Sequence, residues 1–203
     1  MKIICIGRNY ANHAKELGNT IPTEPLFFLK PETAIQPKGY PFFIPDFSNE
    51  IHYEVELVIK IDKIGKNIEE LFAHKYYSQI GLGIDFTARD IQEECKVKGL
   101  PWEKAKGFDG AAQISRTFIN KSELEIYDIS FRLEKNGEQV QIGNSKDMLL
   151  SFDAIIAHIS KFYTLKIGDL IYTGTPAGVG KVEKGDILNG FIGENEMFQI
   201  LVK

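Results

Sequence analysis

His52, Glu54 and Glu56 occupy alternate positions in the stretch EIHYEVELVIKI. Residues two apart on a strand share a face at a spacing of about 6.6 Å, so both carboxylates project to one side while Tyr53, Val55, Leu57 and Ile59 fill the other. Two carboxylates converging in this way can grip one hard cation, and oxygen ligands favour magnesium, manganese or calcium over zinc. A solvated strand face would show the same alternation. Asp85 ends the apolar run IGLGI, just ahead of a helix whose capping box is expected at Thr87 and Asp90. A carboxylate at that point sits where sites are built on loops leaving a sheet, or serves as one more turn residue. Arg89 and Gln92, three apart near the start of that helix, could hold a substrate carboxylate or form a surface pair. His13 and Glu16 have the same spacing on a short helix. A carboxylate bonded to one imidazole nitrogen fixes the tautomer and makes the other nitrogen a general base, the alternative being an exposed ion pair. His52, His74 and His158 have no such partner nearby in sequence, and His74 and His158 read as surface or boundary residues. The glycine-rich TGTPAGVGKV fails as a phosphate loop, because five residues separate Gly174 from Gly180 and Val182 follows Lys181. A tight turn over a pocket remains open.

These residues need elements to carry them. KIICIG reads as a strand and NYANHAKELGN as a short helix, with Asn9 its expected N-cap and Gly18 its stop. IPTEPLFFLKPETAI and KGYPFFIPDF are broken by proline into short strands and loops. EELFAHKYYSQ is weakly helical, IGLGI is a strand with close-packing glycines, and DMLLSFDAIIAHISKFY is an amphipathic helix. DISFRLEKNGEQVQIG carries Asn-Gly at a hairpin tip, and LKIGDLIYTGTP and VEKGDILNGFI share a Gly-Asp turn before a strand. Many short strands, few helices and no regular strand–helix alternation predict a β-rich α+β fold. The 203 residues, 43% hydrophobic, suffice for one core, and a single domain over 1–203 is expected. A net charge of −4 with no basic block argues against nucleic acid as a partner. Cys5 and Cys95 form no CxxC and read as two reduced thiols. No segment has the apolar length of a membrane span and the N-terminus lacks a signal pattern, so a soluble cytoplasmic protein is expected.

GRNYANHAKELGN, FFLKP, HYEVELVIKI, GIDFTARDIQEECKVKGLPWEKAKGFD and IYTGTPAGVG, in this order and spanning nearly the whole chain, resemble the fumarylacetoacetate hydrolase family. The resemblance is to its short, single-domain members acting on acylpyruvates and oxaloacetate. It implies a mixed β-sandwich roll, a homodimer, and Mg2+ or Mn2+ held by residues matching Glu54, Glu56 and Asp85. It also implies a water-activating dyad matching His13 and Glu16, a substrate-facing lysine matching Lys106, and pocket positions matching Arg89, Gln92 and Thr175. Gln113 stands where relatives commonly have proline, which bears on the local loop path.

The activity this implies is metal-dependent C–C bond hydrolysis of acylpyruvates to pyruvate and a carboxylate. His13, backed by Glu16, would deprotonate the attacking water, and Lys106 would stabilise developing negative charge. The alternative on the same fold is decarboxylation of oxaloacetate, or tautomerisation or isomerisation of a 2-oxo acid. A more distant alternative is a non-catalytic metal-binding β protein. Two adjacent buried glutamates resist joint ionisation unless a divalent cation favours both anions.

Overall fold

The computed structural model describes residues 1–16 and 24–203, leaving aside the side chains of Ala14 and Lys15; the expected stop at Gly18 lies outside the described residues. The first strand, β1 (Ile3–Gly7), is almost wholly buried and leads into α1 (Ala11–Glu16). The proline-punctuated region contributes β2 (Leu26–Lys30) and loops. The alternating stretch forms two strands, β3 (Ile51–Tyr53) and β4 (Val55–Ile61). After the single turn α2 (Glu70–Ala73) come the long β5 (Tyr77–Asp85) and the short β6 (Thr87–Ala88). The helix α3 (Arg89–Lys98) stops at Gly99, which takes the left-handed φ of 63°. Then follow α4 (Glu103–Lys106), β7 (Ala112–Ile114) and β8 (Ile119–Asn120). A hairpin of β9 (Ser130–Lys135) and β10 (Glu138–Asn144) turns at Asn136-Gly137, both with positive φ, as that dipeptide predicts. The helix α5 (Phe152–Phe162) starts at Ser151, whose side chain accepts from Ala154 N. The chain closes with β11 (Leu170–Tyr172), β12 (Gly180–Lys181), β13 (Ile187–Ile192) and β14 (Asn195–Leu201).

Three sheets result. The largest runs β2-β1-β11-β4-β5-β7, with β8 also on β5, and its β1–β11 pair is parallel while its other pairs are antiparallel. A second runs β10-β9-β13-β14, and a third is the small β12-β3-β6. The main core packs Ile4, Leu57, Ile59 and Leu82 of the large sheet with Phe131 and Leu133 of the second sheet and Ile155, Ile156 and Ile159 of α5. A smaller cluster of Ile3, Cys5, Val58 and Tyr172 fills the opposite face of the large sheet. The arrangement is the β-rich α+β fold that the short strands predict. Among the described residues no helix is long and apolar enough to cross a membrane.

Several local expectations are corrected. The stretch at 50–61 is not one half-buried strand: it changes sheets at Glu54, because Val55 N is taken by Gln141 Oε1 at 2.9 Å while Asp85 N donates to Glu54 O at 2.9 Å. Its second part is buried on both faces, since each side of the large sheet is covered by a cluster. The capping box does not form. The helix α3 begins after Ala88 with no side-chain cap, Thr87 Oγ1 donates to Asp85 O, and Asp90 accepts from Ser48 Oγ, Asn49 N and Ile91 N. Nor does Asn9 cap α1. Its amide donates to Thr173 O and Leu150 O and accepts from Leu150 N, which bolts the β1–α1 turn to neighbouring loops. The glycines of IGLGI do permit close packing, as a Cβ on Gly83 would lie 2.5 Å from Gln113 O. Gln113 itself lies in β7, and its carbonyl accepts from Tyr172 OH.

Candidate active site

The sheet change at Glu54 and the end of β5 bring three carboxylates together. Val55 pairs with Ile84, so Glu54 and Glu56 flank the point where β5 delivers Asp85. One oxygen from each of Glu54, Glu56 and Asp85 lies within 4.8 Å of the others, and all three residues are buried. Lys106, on α4, reaches this cradle with Nζ 2.7 Å from Glu54 Oε2 and 2.8 Å from Asp85 Oδ2. Arg89, at the start of α3, donates through Nη2 to Glu54 Oε1 at 2.5 Å and through Nη1 to Gln92 Oε1 at 2.6 Å. Glu56 Oε2 accepts from Gly174 N at 2.7 Å.

Electrostatics separates the two glutamates. Burial pushes the Glu54 carboxyl up, but Lys106 and Arg89 outweigh it and hold the group well below the usual carboxylate range. Burial, with the charges of Asp85 and Glu54, pushes Glu56 well above that range. Burial pulls Lys106 down, yet Asp85 and Glu54 outweigh it and leave its ammonium more strongly held than usual. Asp85 Oδ1 is a buried acceptor without a hydrogen-bond donor, with Lys30 Nζ beside it at 2.6 Å as an ion pair. A buried carboxylate oxygen with a free lone pair, next to two further carboxylates, fits a hard divalent cation.

His13 lines the same cleft, with Glu16 behind it. His13 is buried, its Nδ1 is 3.3 Å from Glu16 Oε2, and Glu16 also accepts from Gly178 N at 3.0 Å. The pair is therefore no exposed helical contact. Burial lowers the His13 pKa against the opposing pull of Glu54 and Glu16, so the ring is neutral near pH 7. With Nδ1 engaged by Glu16, Nε2 is the nitrogen available as base. Thr175 is buried and lines the cleft together with His13, Glu54, Arg89, Gln92 and Lys106, so the structure brings the nine predicted positions to one region, with Glu16 immediately behind His13. The free space within the cleft is small, about 40 Å³. His52 is not part of it. Its Nε2 faces Glu50 at 3.3 Å, a partner two residues away, contrary to the expectation that it has none. His74 is exposed and His158 half-buried, as expected of surface or boundary residues.

The segment TGTPAGVG has two uses that its sequence does not disclose: Gly174 N holds Glu56 and Gly178 N holds Glu16. Gln141 is also missing from the sequence reading. From β10 it bonds Thr175 Oγ1, Pro176 O and Val55 N, joining that segment to the sheet change. Lys30 is fully buried and donates to Ala111 O at 2.9 Å beside Asp85. Its sequence signals are a lysine ending an apolar run and its place in FFLKP, neither of which gives it a role. Arg8, Lys96 and Trp102 also line the cleft.

Residues 2–196 match the model of the fumarylacetoacetate (FAA) hydrolase C-terminal family. The chain belongs to this family. It is 44% identical over 185 residues to the mitochondrial oxaloacetate tautomerase of Mus musculus, covering 91% of this chain and 83% of that one. It is also 44% identical over 189 residues to the mitochondrial oxaloacetate decarboxylase of Dictyostelium discoideum, covering 92% of this chain and 86% of that one. Among solved structures, the fumarylpyruvate hydrolase of Pseudomonas aeruginosa in complex with Mn2+ and pyruvate superposes with a TM-score of 0.92 at 34% identity, covering 100% of this chain and 89% of that one. The family's enzymes thus include hydrolases, decarboxylases and tautomerases, and the fold here is theirs. The named activities of the two 44% relatives correspond to the alternative reading of the sequence better than to acylpyruvate hydrolysis.

Proposed function

We propose that this family member catalyses keto–enol tautomerisation of oxaloacetate in a single catalytic unit, with Mg2+ or Mn2+ held by Glu54, Glu56 and Asp85. The observation that carries the reading is a neutral base and a charged acid on one cleft: His13, kept unprotonated by burial, and Lys106, kept protonated by Asp85 and Glu54. When bound, the cation would supply Lewis acidity at the 2-oxo group and neutralise the paired glutamates.

The chain's own residues account for the proton movements. His13 Nε2 takes a proton from C3 of the keto form, and Glu16 stabilises the imidazolium that results. The C2 oxygen gains the charge released by the C–H bond and accepts a proton from Lys106 Nζ, giving the enol. His13 is then protonated and Lys106 neutral, the state from which the reverse sequence returns the keto form; proton exchange with solvent interconverts the two charge states, with no net oxidation and no leaving group. Arg89, oriented by Gln92, and Thr175 would hold the substrate carboxylate beside this pair. Decarboxylation requires no base, whereas tautomerisation uses both groups, and this supports tautomerisation as the principal reaction.

Hydrolysis of an acylpyruvate is the second reading, supported by the same dyad as a water activator and by the likeness to a fumarylpyruvate hydrolase. The deciding experiment follows ketonisation of oxaloacetate, its loss of CO2, and cleavage of acetylpyruvate side by side, metal-stripped and then with Mg2+ or Mn2+ restored. We expect ketonisation to be accelerated most, well beyond the metal ion alone. If ketonisation runs at the rate of the metal-only control, the tautomerase reading falls, and dominant acetylpyruvate cleavage would put hydrolysis in its place. A homodimer is part of the proposal, tested by light scattering for twice the 23.0 kDa of one chain.

A further inference from the structure

Arg8 sits at a turn that the backbone of an arginine does not favour. Its φ is 59°, in the left-handed region. Such conformations persist where the surroundings determine them, and here they do. The adjacent Asn9 is buried, donates at 2.8 Å to Thr173 O, accepts at 2.8 Å from Leu150 N, and offers its own carbonyl to Leu149 N at 2.8 Å. Gly174 presses on it so closely that a Cβ there would lie 2.7 Å from Asn9 Cβ. The turn is clamped from two loops, and the clamped turn puts Arg8 on the wall of the cleft.

The charge accounting of that wall singles Arg8 out. Arg89 is engaged by Glu54, Lys106 by Glu54 and Asp85, and Lys96 by Glu93. Arg8 has no ion pair and no side-chain hydrogen bond among the described residues. The sequence of residues 17–23, LGNTIPT, contains no acidic residue that could neutralise it. Arg8 is half-buried and lines the cleft; an arginine so placed, with no ion-pair partner among the described residues, is a receptor for an anion, and its planar fork matches a carboxylate.

We infer that Arg8 is a specificity-determining residue that receives the second carboxylate of a 2-oxo dicarboxylic acid, the one remote from the 2-oxo group, and so selects dicarboxylates over monocarboxylates. This rests on the proposed 2-oxo acid site and names its substrate class. Arg89 would serve the carboxylate next to the oxo group, and Arg8 the far one.

The test is calorimetric binding to the Mn2+-loaded full chain, comparing oxaloacetate with 2-oxobutanoate, a monocarboxylate of equal chain length. The variants are Arg8→Asn, chosen because asparagine tolerates positive φ, and Arg8→Lys, which keeps charge without the fork. The wild type should bind oxaloacetate more tightly. Arg8→Asn should lose roughly tenfold or more for oxaloacetate, the scale of one charge-assisted contact, with 2-oxobutanoate unchanged and Arg8→Lys between. Equal affinity of the wild type for the two acids, binding of neither, or an equal loss on both in Arg8→Asn would overturn the assignment. Because affinity and ketonisation are separate readouts, a dicarboxylate preference that depends on Arg8 in a protein that does not accelerate ketonisation would sink the tautomerase reading and leave Arg8 standing.

Discussion

Replacing Lys30 by methionine should show how far the cradle depends on a cation outside the cleft. Methionine keeps most of the aliphatic stem but removes the ammonium that lies 2.6 Å from Asp85 Oδ1 and donates to Ala111 O. Both members of the pair are essentially inaccessible to solvent, with side-chain exposures of 0% and 1%. Removing one partner of such a pair leaves a buried charge uncompensated and costs about 3–5 kcal/mol. For a chain of this size each kcal/mol lowers Tm by roughly 2–4 °C, so a fall of about 6–20 °C is expected. Lys106 still reaches Asp85 through the other oxygen, which places the expectation in the lower half of that range. The assay is thermal unfolding in chelator and in saturating Mn2+. The penalty should be smaller with Mn2+, because a bound cation gives Asp85 a new partner and adds its own binding free energy to the folded state. A Lys30→Met protein that melts within about 2 °C of wild type in chelator would refute the reasoning and leave Lys30 a passive filler.

Other outcomes follow from the same contacts. The acid limb of the kcat/KM profile should fall below the ordinary histidine value, because burial lowers the His13 pKa and only the neutral ring accepts a proton. Glu16 pulls that pKa up, so Glu16→Gln should move the limb to still lower pH while reducing kcat, and an unmoved limb would disconnect the dyad from the chemistry. The same depression in His13 should cost stability as pH drops below the unfolded histidine value, since the unfolded chain then binds the extra proton more readily. Gln141→Leu should destabilise by about 2–4 kcal/mol, because Val55 N and Pro176 O lose a buried partner; denaturant midpoints at unchanged slope would measure it. Glu56→Gln should weaken Mn2+ binding by about a hundredfold or more, read by equilibrium titration, while relieving the repulsion that raises this carboxyl and so leaving the metal-free protein no less stable.

Much of the site was legible because its chemistry is local. His13 with Glu16, and Arg89 with Gln92, are one helical turn apart, and both contacts form. Glu54 and Glu56 were legible from alternation, but the sheet change between them was not, since it depends on Gln141 from a strand more than eighty residues away. The same holds for Lys30, which meets Asp85 across an interval of fifty-five positions without any periodic signal. The expected capping box failed for a tertiary reason. Asp90 was drawn to Ser48 and Asn49, and Thr87 to Asp85 O, and these contacts replace local capping. The Asn136-Gly137 hairpin formed as its local signal predicts, and the helix expected over DMLLSFDAIIAHISKFY formed only from Phe152 to Phe162, starting at a Ser151 cap that the sequence reading did not name.

The two glycine donors, Gly174 N and Gly178 N, hold Glu56 of the carboxylate cradle and Glu16 behind His13. The chain between them is therefore a ruler. Inserting or deleting one residue would displace one donor relative to the other by up to about 3.5 Å, more than a hydrogen bond can stretch. Ala177 and Val179 are only half-buried and free to change. Among descendants of this sequence, substitution should accumulate at those two positions while the length of the interval stays fixed.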